Sequence, residues 1–151
     1  MGYISKIREK VGHDPVFMPC VGCVIVKDNQ ILLQKRTDNG KWATHGGSME
    51  LGETFLDCLN RELKEELNIK VINPKVINIY TGEDMHYTYP NGDEVYMICT
   101  VYLVEEFTGN MKVDNKEVSE VKWFDIDKLP RSIHDPDQKV LEDVNRILKY
   151  R

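Results

Sequence analysis

The apolar residues of this chain recur with two different periods, one typical of strands and one typical of helices. Extended apolar runs bounded by turn-forming residues predict five strands. These strands cover residues 16–26 and 31–35, about 70–81, about 94–105 and about 118–124.

Turn-forming residues indicate how some of these strands connect. The polar segment Lys-Asp-Asn-Gln at residues 27–30 predicts an antiparallel hairpin of the first two strands. The segment Pro90-Asn91-Gly92 predicts a tight hairpin between the third and fourth strands.

Three segments with helical spacing complete the predicted elements, at residues 1–12, about 54–67 and about 136–150. Thr54 is the predicted N-cap of the second helix, with Asp57 three residues further on. Strands that come before, between and after helices predict an α/β fold, a mixed central sheet flanked by helices. The length of 151 residues predicts one domain, 1–151.

The charge and the hydropathy of the chain argue against nucleic-acid polymers and membranes as partners. The 20 basic and 25 acidic residues give a net charge of −5, the wrong sign for a protein that binds a nucleic-acid polymer or an anionic membrane. The sequence contains no apolar run that could cross a bilayer and no signal-peptide core at its N-terminus. We therefore expect a cytoplasmic protein whose anionic ligands, if any, need local help to bind.

The four cysteines are Cys20, Cys23, Cys58 and Cys99. Cys20 and Cys23 have the spacing of half a zinc site or of a redox pair, but no second Cys/His pair follows at zinc-site spacing. We expect all four cysteines to serve as small buried side chains.

The second predicted helix carries the residues with chemical potential. At about 100° per residue, its apolar residues form one stripe that we expect to be buried. The stripe consists of Phe55, Leu56, Leu59, Leu63 and Leu67.

Three glutamates, Glu62, Glu65 and Glu66, lie on an arc beside this stripe. Like charges at this spacing cost about 0.2–0.5 kcal/mol per pair, so the cluster favours a compensating cation. Carboxylate oxygens suit Mg2+ or Mn2+, and Mg2+ in addition bridges to phosphates. An ordinary charged helix surface, or a surface that recognises a partner protein, is the alternative interpretation.

The spacing of these residues resembles the Nudix box, G-x5-E-x7-R-E-U-x-E-E-x-G-U, in which U is apolar. Here Gly47 is followed after five residues by Glu53, and after seven more by Arg61 and the rest of residues 61–69. Asn68 stands where the family usually has glycine, a mild change because asparagine tolerates left-handed backbone. His45 stands where the family often has proline, ahead of the two glycines.

The resemblance implies a Nudix-type α/β/α sandwich and a set of residue roles. Glu53 and Arg61 would orient the acidic cluster. The implied metal ligands are Glu62, Glu65, Glu66, the Gly47 carbonyl and, outside the box, Glu117, with Glu120 in reserve. The base that deprotonates the attacking water could be Glu62, Glu117 or Glu120.

The resemblance also implies Mg2+-dependent hydrolysis of a phosphoanhydride bond in a nucleoside diphosphate linked to another group. The proline often found about fifteen residues after the box in ADP-ribose hydrolases is missing, which slightly favours a nucleoside triphosphate. ADP-ribose-like molecules and dinucleoside polyphosphates stay candidates. A Nudix-fold sensor that binds such a nucleotide without hydrolysing it is the alternative function.

Substrate contacts are predicted from residue type and position. Arg36 and Lys35, at the end of a strand, are candidate phosphate contacts. Tyr87 is the chosen candidate for stacking on a base, with Trp42, Tyr89 and Tyr96 as further aromatic candidates. The first helix and the apolar strand edges could support a homodimer.

Overall fold

The computed structural model describes residues 2–113, 116 and 118–150. Its helices are α1 (Tyr3–Val11), α2 (Phe55–Leu67) and α3 (Gln138–Lys149). Its strands are β1 (Val16–Lys27), β2 (Gln30–Arg36), β3 (Trp42–Ala43), β4 (His45–Ser48), β5 (Lys70–Ile72), β6 (Lys75–Tyr80), β7 (His86–Thr88), β8 (Glu94–Val104), β9 (Glu106–Thr108) and β10 (Val118–Asp125). Two short 3-10 turns lie at Glu83–Met85 and Asp135–Asp137.

The central sheet is mixed, as predicted. Its strand order is β10-β2-β1-β8-β6, and β3, β4 and β7 pair beside this path. Strands β1 and β8 run parallel over ten residue pairs, from Val16 opposite Val95 to Ile25 opposite Val104. The predicted hairpin of β1 and β2 is confirmed, and it closes through Asp28 and Asn29, which both have positive φ.

Helices cover both faces of this sheet, so the predicted α/β/α sandwich is confirmed. One apolar layer joins Ile25 and Leu32 of the sheet to Leu59 and Leu63 of α2. The other layer joins the opposite sheet face to Val140, Leu141 and Val144 of α3. Successive strand residues point to opposite faces, which is why one run of apolar residues can serve both layers.

Local sequence determines both ends of α2. Thr54 and Asp57 form a reciprocal capping box, with the Asp57 amide 3.1 Å from the Thr54 hydroxyl and the Thr54 amide 3.0 Å from the Asp57 carboxylate. Asn68 ends the helix in the left-handed conformation, at φ 57°. The predicted bounds and caps of this helix are confirmed.

The predicted apolar stripe of α2 is wrong at its first two members. Phe55 and Leu56 are each 44% exposed, whereas Cys58, Leu59, Leu63 and Leu67 are buried. The reason is that the apolar layer beneath the helix includes its residues from Cys58 onward and not its first turn.

The single strand predicted at residues 70–81 is also wrong, because the segment forms two strands in different sheets. β5 pairs with β9, while β6 pairs with β8. Between them Asn73 has a φ of 48° and Pro74 has no backbone N–H to donate, so neither continues a ladder. The hairpin at residues 90–92 therefore joins β7, not β6, to β8.

All four cysteines are buried and free, which confirms their predicted role as small core side chains. Cys20 packs in the α3 layer and Cys23 in the α2 layer, on opposite sheet faces. Among the described residues no helix has the length and apolar character needed to traverse a bilayer.

The cap at Asn68 yields a stability prediction. Asn68→Ala should lower the free energy of unfolding by about 1–2 kcal/mol, because an L residue with a Cβ that cannot hydrogen-bond locally is strained in left-handed backbone. Asn68→Gly should stay within about 1 kcal/mol of the native chain, since glycine relieves that strain but loses the 3.0 Å bond from the Asn68 amide to the Asn110 carbonyl. Urea unfolding measures both, and an alanine variant as stable as the native chain would contradict the prediction.

Candidate active site

Arg61 connects the turn before α2 to the helix itself. Its Nε lies 2.7 Å from Glu53 Oε2 and its Nη2 lies 2.9 Å from Glu53 Oε1, a bidentate pair. The same Glu53 Oε1 accepts the backbone N–H of Glu50 at 2.7 Å. These hydrogen bonds hold the pKa of Glu53 below its ordinary value, and the turn is thereby tied to the helix.

Arg61 also reaches two neighbours on the other side. Its Nη1 donates to Glu62 Oε1 at 2.8 Å, and its Nη2 donates to the Ser48 carbonyl of β4 at 3.0 Å. These carboxylates raise the pKa of Arg61 above its ordinary value, and the hydrogen bonds to Glu53 contribute more than the one to Glu62. The guanidinium of Arg61 thus holds β4, the turn before α2 and α2 itself in one arrangement.

The two glycines of β4 are required by close packing. A Cβ on Gly47 would lie 2.2 Å from the carboxyl carbon of Glu62, so the Glu62 carboxylate occupies the space above this glycine. A Cβ on Gly46, whose φ is 144°, would lie 2.1 Å from the Val21 carbonyl oxygen of β1. The first contact shapes the acidic cluster, and the second holds β4 against the sheet.

The three box glutamates differ in environment. The side chains of Glu62 and Glu66 are 16% and 14% exposed, whereas that of Glu65 is 60% exposed. Burial raises the pKa of Glu62 to about 7, with the charges of Glu66 and Glu65 adding to the effect and Arg61 opposing it. Glu66 Oε2 is buried and, among the described residues, has no hydrogen-bond partner.

A cleft of about 550 Å3 joins this cluster to a polar and aromatic wall, and its volume falls in the usual range for ligand sites. Glu62, Glu65 and Glu66 line one part of it. Further lining residues with polar side chains are Gln34, Arg36, Thr37, Asp38, Thr44, His45, Ser48, Tyr89, His134 and Asp137.

Glu62, Glu65 and Glu66 form the acidic end of the cleft. The chemistry of their side chains fits a hard divalent cation. The side-chain donors are all carboxylate oxygens, one of which is buried without a partner, and such a set suits Mg2+ or Mn2+. In the part of the chain that the structure describes, no three His, Cys, Asp or Glu side chains already converge on one metal position.

The other predicted ligands have different positions. The Gly47 carbonyl lies 3.8 Å from the Cys58 thiol of α2. Glu117 lies outside the described residues. Glu120 is exposed on β10, opposite Lys35 of β2, and is not among the residues that line the cleft.

Of the two predicted phosphate contacts, Arg36 lines the cleft. Its guanidinium forms a bidentate pair with Asp38, at 2.8 and 2.6 Å. Lys35 lies on the strand beside it, with its Nζ 6.0 Å from the Trp42 ring, and is not among the lining residues. Direct contact of Lys35 with substrate stays a prediction.

Tyr87 supports the wall and does not line the cleft. Its hydroxyl donates to Asp38 at 3.0 Å, and its ring meets Tyr89 and His134 edge-on, at centroid distances of 4.8 and 4.6 Å. Tyr89 is the aromatic candidate that lines the cleft. The remaining two pack elsewhere, Trp42 against Phe124 and Tyr96 against His86.

Sequence reasoning missed most of the polar residues of the cleft, among them Gln34, Asp38, His45 as a lining group, His134 and Asp137. Gln34 donates to the Thr44 carbonyl at 3.0 Å, and Asp137 accepts the Thr44 amide at 2.9 Å. Gln34 and Asp137 are held at the cleft by these contacts with Thr44 and not by their neighbours along the chain. No short sequence motif therefore predicts them.

The sandwich and its glutamate-bearing helix define the class as a Nudix-type α/β fold. The NUDIX domain profile matches residues 16–144, and the chain belongs to this family. It is 32% identical to the ADP-ribose pyrophosphatase of Methanocaldococcus jannaschii, over 82% of this chain and 70% of that protein. In structure it is similar to a MutT NUDIX hydrolase from Burkholderia pseudomallei, with a TM-score of 0.74, 28% identity, and 85% and 98% of the two chains covered.

Other relatives are longer. The chain is 32% identical to the NAD-capped RNA hydrolase NudC of Vibrio atlanticus over 78% of its own length and 41% of that protein. It therefore spans about two-fifths of the NudC relatives that it matches.

The two glycines of β4 yield a matched prediction. Gly47→Ala should displace the Glu62 carboxylate, a flexible group, so Mn2+ affinity should fall by at least about tenfold while stability changes by less than about 1 kcal/mol. Gly46→Ala meets backbone at positive φ and should destabilise by about 3 kcal/mol or more. Calorimetric titration measures Mn2+ affinity, and urea unfolding measures stability. Equal losses of stability in the two variants would contradict the different roles given to Gly46 and Gly47.

His134 yields a pH prediction. Burial, aided by the charge of Arg36, lowers its pKa to about 4, whereas an unfolded histidine titrates near about 6.5. The unfolded chain then binds the proton first, so this stability contribution is present above about pH 6.5 and is lost as pH falls toward about 4. Between pH 7 and about pH 4.5 the native chain should lose about 2 kcal/mol more unfolding free energy than His134→Gln, by urea titration. Equal losses of unfolding free energy in the native chain and in His134→Gln would contradict this prediction.

Proposed function

We propose that this protein is a Mg2+-dependent hydrolase that cleaves a phosphoanhydride bond in a nucleoside diphosphate linked to another group. The observation that carries the proposal is the cleft, which joins the partly buried carboxylates of Glu62 and Glu66 to a wall that contains Arg36 and Tyr89. Such a cleft offers an acidic end for a cation and phosphates, and an aromatic face for a base.

The acidic end would hold the cation through Glu62, Glu65 and Glu66, with the Gly47 carbonyl as a further ligand. Glu53 and Arg61 would act on this end indirectly, by holding Glu62 and the turn in place. Bound there, Mg2+ neutralises phosphate charge and lowers the pKa of an attacking water.

Glu62, Glu117 and Glu120 are the candidate bases for that water. Arg61 occupies Oε1 of Glu62, so Oε2 would serve either as a ligand of the cation or as the acceptor of the proton, and the ligand role leaves the proton to another carboxylate. Glu120 is exposed and outside the cleft lining, which counts against it. Glu117 stays a candidate.

The opposite end would bind the nucleoside. Arg36 presents its guanidinium at the wall, but Asp38 already balances much of its charge, so this end is polar and not strongly cationic. Tyr89 supports stacking of a base. The sequence relatives include proteins named for ADP-ribose and NAD-capped RNA, whereas the structural relatives include MutT proteins, so ADP-linked substrates and nucleoside triphosphates both belong in the first test.

A substrate panel with a matched pair of variants tests the proposal. With Mg2+ and nucleoside triphosphates, ADP-ribose, NAD and dinucleoside polyphosphates, the native chain should release a nucleoside monophosphate from at least one class, and Glu66→Gln should lower kcat by about 100-fold or more. Glu142→Gln, on the exposed face of α3, should keep the native rate. Product identity by chromatography reports the bond cleaved.

Two outcomes would contradict this proposal. Native rates in Glu66→Gln would remove the metal end from the chemistry. Tight binding of a nucleotide by the native chain, without product from any of these substrate classes, would instead indicate the sensor function.

A further inference from the structure

His45 is a fully buried histidine that the proposed chemistry has not yet used. It is the first residue of β4 and pairs with Cys23 of β1, directly before the two glycines. Its side chain is 0% exposed, and neither ring nitrogen has a hydrogen-bond partner among the described residues. An unsatisfied buried polar group costs about 1–3 kcal/mol, so the ring is in an unfavourable state unless it gains a partner.

The nearest candidate partner is a group in the same condition. Glu66 Oε2 is buried, lacks a hydrogen-bond partner among the described residues, and lies 3.5 Å from His45 Nδ1. A hydrogen bond from N–H to oxygen has a length of about 2.9 Å, so a shift of about 0.6 Å would satisfy both atoms.

The position is also unusual for a polar ring. Proline, common here in the family that the sequence resembles, has neither a ring N–H nor a charge to bury. Arg61 bonds Glu53 and Glu62 and lies 3.7 Å from Glu65, but no such contact is present from Arg61 to Glu66 among the described residues. Glu66 is thus the box glutamate that the arginine does not orient.

We propose that His45 is a positioning residue that donates its Nδ1–H to Glu66 Oε2 and leaves Oε1 for the cation. This inference rests on the proposed metal site and adds a residue to it. Metal-ligating side chains generally need such outer partners, whose loss weakens metal affinity by about 10–100-fold. In this chain the ring of His45 orients Glu66, while Arg61 orients Glu62.

A set of substitutions at one position separates positioning from packing. His45→Phe keeps the ring volume and removes both nitrogens. His45→Asn places an amide N–H close to where Nδ1 lies, whereas His45→Gln places one close to Nε2. A packing role requires ring volume, but a positioning role requires a donor at the first site.

The measurement is calorimetric titration of each variant with Mn2+ alone, without nucleotide, together with thermal unfolding. His45→Phe and His45→Gln should bind Mn2+ about 10–100-fold more weakly than the native chain, and His45→Asn should stay within about threefold. In a Glu66→Gln background, His45→Phe should cause no further loss, because the partner carboxylate is already gone.

Several results would overturn the inference. Native Mn2+ affinity in His45→Phe would leave His45 a packing residue while the metal site stands. Equal weakening in the Phe and Asn variants would remove the role of the Nδ1 donor. If the Phe variant does not fold, the comparison of Asn with Gln still decides, since equal affinity in those two removes the role of Nδ1. A native chain that binds no Mn2+ at all would overturn both this inference and the proposed function.

Discussion

The guanidinium of Arg61 is the group on which the rest of the candidate site depends. It bonds the Glu53 carboxylate, the Glu62 carboxylate and the Ser48 carbonyl, and so joins the turn, the helix and strand β4. One positive charge offsets only part of the charge of four neighbouring glutamates. The remaining negative charge, placed beside buried apolar residues, is the reason why we propose a divalent cation here.

Sheet packing decides where that charge lies. Gly46 lets β4 approach β1 closely, and Gly47 gives the Glu62 carboxylate room above the same strand. The cleft opens beside these residues, and Arg36 and His134 stand on its other side. Core packing and site geometry are therefore linked in this fold, because β4, which pairs with β1, also provides the space that the Glu62 carboxylate occupies.

The elements best predicted from the sequence are those set by local interactions. The capping box of Thr54, the left-handed cap at Asn68 and the hairpin of β1 and β2 need only neighbours along the chain. The sequence does carry a signal for the break at Asn73, because Asn73-Pro74-Lys75 interrupts the apolar residues and Pro74 cannot donate to a strand ladder, but apolar residues resume at Val76 and so favour one long strand. His134 could not be assigned to the cleft, because its position there depends on contacts distant in sequence, such as that of its ring with Tyr87.

The central claim is that Glu62 and Glu66 hold one cation between them at the acidic end of the cleft. The most direct test is the anomalous scattering of Mn2+ in crystals that also contain a non-hydrolysable nucleoside diphosphate derivative. The account predicts a manganese peak within coordination distance of both carboxylates and of a phosphate oxygen, with Arg61 still bonded to Glu53. A nucleotide bound in the cleft with no manganese at these glutamates would contradict it.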